Sequence, residues 1–320
     1  AHAIKYTILA PYQAAAFRKV GEGKWHDLGH DPVASTRPYV CHLPSGKNIS
    51  IFFYDGPVSH DIAFAGLLNN GEAFANRLTK NFSEDHKAKE LVFAATDGET
   101  YGHHHRFGNM ALSYCLHHIE THKGAKISLL AEYLSKHPPE YEVKIKEKSA
   151  WSCAHGVERW RSDCGCCIGG NSWNQKWRAP LRDAMDWLRD ELSIVFEDAM
   201  KEFVKDAWSA RNDYVDVILD RHKENVEKFF ATHAVRELSM AEKSSILKLL
   251  EMQRHAMFMY TSCGWFFDEV SGIETVQILR YAARAIQLAK DVTGKDFEKD
   301  YLKKLELAKS NLPEYKNAKV

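Results

Sequence analysis

LVFAATDGETYGHHHRFGNMA, residues Leu91–Ala111, decides how the chain reads. An apolar, β-like run, Leu91–Ala95, ends in two carboxylates and three consecutive histidines. A short apolar run of this kind reads as a buried parallel strand. Gly98 and Gly102 permit a tight exit from it, and a helical pattern resumes near Asn109. Asp97, Glu99, His103, His104 and His105 therefore fall on a loop at the carboxyl end of a strand, the face on which α/β barrels hold their catalytic groups. The competing reading is a solvated turn or helix cap followed by surface histidines.

Outward from that loop, the first 150 residues alternate strand and helix signals. Ile4–Ala10 and Asn48–Tyr54 predict strands, with Ser45-Gly46 marking a turn before the second. His60–Phe82 carries helical periodicity through Ile62, Leu67, Phe74 and Leu78. Met110–His122 predicts a helix with His117 and His118 on its surface. Ile127 and Leu129–Leu134 give a short strand and then a helix, stopped by Pro138 and Pro139. This βα succession reads as the end of a barrel.

Beyond Trp177 strand signals vanish. Amphipathic stretches follow at Leu181–Trp208, Asn212–Phe230, Ser239–Tyr260, Thr275–Val292 and Phe297–Ala308. Asp183, Asp186, Asp190 and Glu191 interleave with Arg182 and Arg189, the pattern of a solvated helix face. The expected fold class is therefore α/β followed by all-α. Residues 1–150 form the C-terminal part of a barrel and residues 151–320 a helical domain, with a Trp- and Cys-rich junction over 151–177. The helices are expected to pack against the barrel and help shape its cleft, a favoured place for ligands.

Composition narrows the function classes. Lys plus Arg and Asp plus Glu both number 43, so the formal charge is zero and no electrostatic case exists for a nucleic-acid partner. No run of about 18 apolar residues and no signal-like leader appears, so no membrane partner is expected. Eight tryptophans suit a protein that stacks rings on sugar faces, although tryptophan also fills cores. The seven cysteines form no regular framework, which points to reduced thiols in the cytoplasm. Four of them, Cys153, Cys164, Cys166 and Cys167, crowd one segment beside His155. Zinc or an iron–sulfur cluster is the sharper idea there. Adjacent Cys166 and Cys167 cannot easily both face one tetrahedral ion, so packing around a Gly-rich turn is preferred, and neither a metal nor another cofactor is expected.

Three motifs carry a resemblance. ATDGETYGHHH, WSCAHGVERWRSDCGCCIGGNSWNQKWRAPLRDAMDWL (Trp151–Leu188) and TSCGWFFDEVSGIETVQ (Thr261–Gln277) together resemble glycoside hydrolase family 57. The nearest likeness is to its amylase-like subgroup with a C-terminal domain of unknown function, number 3536, and it extends from KYTILAPYQA to about residue 290. The resemblance implies an incomplete (β/α)7 barrel followed by helices, in which two carboxylates cleave or transfer α-glucan linkages with retention. It implies that the aspartate opening the DGE motif, Asp97, is the general acid/base. The family's nucleophilic glutamate and its N-terminal histidine motif are not recognisable. Glu22 and Trp25 stand in a different context, after TILAPYQAA. The chain also opens at Ala1 almost directly into a strand signal. The expectation is a C-terminal part of a longer polypeptide whose missing N-terminal barrel segment holds the nucleophile, inactive without it.

The resemblance further implies an α-glucan or oligosaccharide substrate, with His103 and, more weakly, His104 binding its hydroxyls. In the Trp-rich segment, Trp151, His155, Glu158, Arg159, Trp160, Asp163 and Trp173 are candidates to line the cleft. The outer tryptophans serve equally well as plugs of the junction. Asp268 and Glu269, in CGWFFDE, resemble a family stretch that reaches the active site from the helical domain, and Trp265 is a candidate sugar platform. Glu99 lies two residues from Asp97, about 6.6–6.8 Å along an extended backbone, a span that suits either glycosidase stereochemistry. A pair on one loop would approach the bond from one side, so Glu99 is assigned to hydrogen bonding. Two other classes remain open. One is a metal-dependent carbohydrate hydrolase or deacetylase using Asp97 with two of His103, His104 and His105. The other is a non-catalytic α-glucan-binding portion.

Overall fold

A computed structural model describes residues 4–83, 89–122, 124–167 and 172–320. The chain divides into two compact units, Ala1–Gly156 and Val157–Val320. No helix among the described residues is long and apolar enough to cross a membrane.

The first unit is built on a six-stranded mixed sheet. Its strands are β1 (Tyr6–Leu9), β2 (Ala14–Lys19), β3 (His26–Asp27), β4 (Tyr39–His42), β5 (Asn48–Phe53) and β6 (Tyr141–Ile145), in the spatial order β1-β5-β4-β6-β2-β3. β1 with β5 and β4 with β6 run parallel, and the other neighbours run antiparallel. β5 shows how alternation places the cores. Ile51 and Phe53 join Ala14, Val33, Tyr39 and Val143 in one cluster, whereas Phe52 meets the rings of Tyr6, Phe93 and Tyr133.

Helices α1 (Gly56–Phe64), α2 (Gly71–Thr79), α3 (Gly108–His122) and α4 (Leu130–Lys136) complete this unit. The single helix expected over His60–Phe82 is broken at Gly66, whose φ of +73° is the left-handed conformation that ends α1. Asn70 then caps α2 by accepting from the Ala73 amide at 2.9 Å. Gly71 lets α2 approach α3 closely, since a Cβ there would stand 2.8 Å from the Tyr114 ring. Val58, Ile62, Leu68, Phe74, Cys115 and Ile119 form the core of this helical layer.

Leu91–Ala95 is not a sheet strand. Its backbone is held by single bonds: the Leu91 amide donates to Thr36 O at 3.0 Å, the Asp55 amide donates to Phe93 O at 2.9 Å, and the Ala95 amide donates to Ser59 Oγ at 3.0 Å. The apolar run is half-buried in such contacts instead of extending a ladder. Ile127 likewise carries no strand.

The second unit is helical: α5 (Arg178–Met200), α6 (Ala207–Leu219), α7 (Lys223–His233), α8 (Met240–Phe258), the short α9 (Cys263–Phe266), α10 (Ile273–Thr293) and α11 (Glu298–Leu305). α5 buries Leu181, Met185, Leu188, Leu192 and Phe196 on one stripe against α8, α10 and α11. Two expected helices are each interrupted. Leu181–Trp208 ends at Met200 and restarts where Asp206 caps the Ser209 amide at 2.5 Å. Asn212–Phe230 breaks at Asp220, whose carboxylate accepts from the His222 amide at 3.0 Å.

Candidate active site

The DGE loop follows directly from the half-buried Leu91–Thr96 segment. Asp97 precedes a single 3-10 turn, Gly98–Thr100, and the Thr100 amide closes it on Asp97 O at 3.1 Å. The amides of His103 and His104 both donate to Glu99 O, at 3.1 and 2.9 Å, so the two rings sit side by side with centroids 5.3 Å apart. His105 turns the other way, and its Nε2 lies 2.8 Å from Ala63 O near the end of α1. Tyr101 Oη lies 3.1 Å from Thr96 Oγ1 and braces the loop across its base.

The result is a loop with a fixed backbone and presented polar groups. The side chains of Asp97, Glu99, His103 and His104 are exposed, whereas Thr100 is buried. Phe107, which sequence reasoning passed over, is 60% exposed and stands at a φ of +65°. A non-glycine residue in that region is held there by its surroundings. The signal in the sequence was an aromatic residue between the histidine run and the Gly-Asn that opens α3.

Asp97, His103, His104 and His105 do not converge. Among the described residues, the one group of three or more metal-ligating side chains close enough to share an ion lies elsewhere. The arrangement thus offers a carboxyl group and ring donors for hydrogen bonding to a polar ligand, and gives the metal-dependent reading of this loop no support.

The other sequence-derived candidates fall into different settings. In the first unit, Trp151 is 56% exposed, and its carbonyl accepts from the Tyr12 hydroxyl. Burial raises that Tyr12 hydroxyl to about 12. In the second unit, Glu158 pairs with Arg161 and accepts from Ser162 Oγ at 2.6 Å. Arg159 is buried with its guanidinium 3.9 Å above the Phe266 ring, and Trp160 meets the same ring at 6.1 Å. Asp163 accepts the Gln175 amide at 2.9 Å, and Trp173 O accepts from the Cys167 thiol at 3.2 Å. Residues 168–171 of this segment lie outside the described residues.

Trp265 and Asp268 are corrections to the sugar-facing reading. Trp265 is 1% exposed, stacked on Trp177 at 6.4 Å and covered by the Arg182 guanidinium at 3.8 Å. Its Nε1 donates to Met259 O at 3.0 Å, so no ring face is left for a sugar. Arg182 is accordingly part of this packing and not a member of the solvated face. Asp268 is buried, and its carbonyl accepts from Trp177 Nε1 at 3.0 Å. Glu269 is also buried and accepts from Ser310 Oγ at 2.5 Å and from the Asn311 amide at 2.8 Å. Burial alone would raise its carboxyl, but these bonds and the Ser271 amide outweigh it and hold the group below the usual carboxylate range.

Comparison with known proteins agrees with an α/β unit carrying an exposed acidic loop and followed by helices. Residues 16–146 match glycosyl hydrolase family 57, and residues 173–320 match a domain of unknown function, DUF3536. Over these two ranges the chain is similar to glycosyl hydrolase family 57, in the form that carries this second domain. Among solved structures it is similar to an exo-type maltose-forming amylase from Pyrococcus sp. ST04, with a TM-score of 0.68 and 15% identity. That likeness covers 94% of this chain and 54% of the amylase, so the chain spans about half the length of its structural relative. At this identity the likeness is one of fold. No curated protein matches the chain in sequence.

Proposed function

We propose that the chain is part of a glycoside hydrolase or glucanotransferase that acts on α-glucans with retention, with Asp97 as general acid/base. The observation that carries this reading is the DGE loop itself, an exposed carboxyl group on a backbone fixed by His105 and Thr100 within the part that matches the hydrolase family. The maltose-forming activity named for the structural relative supports an α-glucan as the substrate class. Its greater length supports a nucleophilic carboxylate contributed by a barrel segment outside these 320 residues. The irregular spacing of the seven cysteines, which fits no secreted disulfide framework, supports work in the cytoplasm.

The chemistry follows from what a glycosidic bond demands. Its leaving oxygen must be protonated while an oxocarbenium-like centre develops, so two carboxyl groups in different protonation states flank the bond. Asp97 supplies the proton, then accepts one from water as the glycosyl intermediate is hydrolysed. Glu99, His103 and His104 hydrogen-bond sugar hydroxyls, and Phe107 offers an apolar ring face beside them.

The anomeric form of the first product tests this reading. In a polypeptide that includes the opposing carboxylate, proton NMR during hydrolysis of maltooligosaccharides is expected to show the α-anomer appearing first. Initial release of the β-anomer, or no action on α-glucans, contradicts it.

A further inference from the structure

Within the second unit, α6, α7, α8 and α10 wall a cavity of about 580 Å³. Small-molecule sites commonly occupy about 300–1,000 Å³. Helical spacing builds the wall. On α8, Ser244, Lys248, Glu251 and His255 recur every three or four residues and so share one face. Tyr214 and Val217 come from α6, and Arg284 and Leu288 from α10, each pair at the same spacing. Tyr214, Val217 and Leu288 are buried and form the floor, whereas Arg221, Lys248 and Arg284 are exposed at the rim.

Charge distinguishes this cavity. Arg221, Lys248, Arg254 and Arg284 line it together with one carboxylate, Glu251, in a chain whose formal charge is zero. Glu251 accepts from Tyr214 Oη at 2.7 Å, from Arg221 Nη2 at 2.9 Å and from Arg254 Nη1 at 3.3 Å. Burial alone would raise its carboxyl, but these bonds outweigh it and hold the group below the usual carboxylate range. One carboxylate thus serves two guanidinium groups and leaves one positive charge uncompensated. Arg284 Nη1 donates to the neutral Gln287 side chain at 3.3 Å, and among the described residues it has no carboxylate partner. Lys248 lies 3.8 Å from Asp291, and His255 meets the Tyr281 ring at 6.0 Å, so α8 and α10 run antiparallel. Arg284 therefore stands opposite the turn of α8 that carries Glu251, Arg254 and His255.

Guanidinium forks match the oxygens of a phosphate group and bind it bidentately. The remainder of the cavity suits a hydroxylated body. Ser244 offers a hydroxyl, and His255 Nδ1 lies 2.9 Å from Glu251 O, which places a proton on Nδ1 and leaves Nε2 for a ligand. Val226, Leu247 and Leu288 supply apolar contact for the C–H face of a sugar ring. Apart from His255, the one ring in the lining is Tyr214, which is 3% exposed and gives a nucleobase no platform to stack on. We propose that this cavity binds a phosphorylated sugar, with its phosphate group on Arg221, Arg254 and Arg284.

The test is isothermal titration calorimetry of the full 320-residue chain with glucose 6-phosphate, inorganic phosphate and adenosine monophosphate. Glucose 6-phosphate is expected to bind at one site per chain, about tenfold or more tighter than either of the others. Arg284→Ala should weaken it about tenfold or more. Arg280→Ala, on the same helix but outside the cavity lining, should leave the affinity unchanged. Both arginines are exposed, so neither variant is expected to disturb folding. No binding of glucose 6-phosphate at millimolar concentration, equal affinity for inorganic phosphate or adenosine monophosphate, or equal loss in Arg280→Ala and Arg284→Ala would each overturn the proposal.

Discussion

His105 reaches Ala63 across 42 residues of sequence, with Nε2 2.8 Å from the carbonyl oxygen near the end of α1. This bond fixes the loop that presents Asp97 and Glu99 while leaving both carboxylates exposed. His105→Ala removes it and is expected to destabilise the first unit by about 1 kcal/mol. The amides of Thr100, His103 and His104 should then exchange with solvent faster than in the parent chain. His105→Gln, which keeps a donor, should recover part of the protection. Unchanged exchange in His105→Ala would show that the loop is held by other means.

Trp265 sits between Trp177 and Arg182 at the centre of the helical unit. Trp265→Ala should cost about 3–5 kcal/mol in denaturant unfolding, as expected when a large buried ring is removed. A cost below about 1 kcal/mol together with a loss of oligosaccharide affinity would instead restore it as a sugar platform.

Glu269 joins the turn before α10 to Ser310 and Asn311 near the chain's end. Because its carboxyl is held below the ordinary value of 4.5, the ionised form stabilises the folded state. That contribution is fully present above the unfolded value, and it is lost as pH falls below it through the lower folded value. Glu269→Gln should therefore destabilise the chain by about 2 kcal/mol at neutral pH, with the gap to the parent narrowing as the solution is acidified below about pH 4.5. A gap that does not vary with pH would show that the charge is not what matters.

The helical unit was legible because its apolar periodicity runs through long stretches, and because a Ser-x-x-Glu capping box at Ser239 and Glu242 announces α8. Its interruptions were not legible, since Asp206 and Asp220 look like ordinary surface acids until they cap or turn the chain. In the first unit β1 and β5 could be read from their apolar runs. β2 and β6 could not, because both carry charged residues and their register pairs Arg18 with Glu142 across 124 residues. Leu91–Ala95 has the composition of a strand but finds loop and helix-start partners, a tertiary outcome that local pattern does not encode. The DGE loop was singled out for its carboxylates and histidines, although the apolar run before it is not a strand.

The central claim is that Asp97 donates the proton to the leaving sugar. The most direct measurement is the turnover of Asp97→Asn on unactivated maltooligosaccharides, in a polypeptide that includes the opposing carboxylate. The account predicts a loss of about 100-fold to 10,000-fold with folding unchanged, and a much smaller loss on substrates whose leaving group needs no protonation. Near-parental turnover on the unactivated substrate, or an equal loss on both substrates, would contradict it.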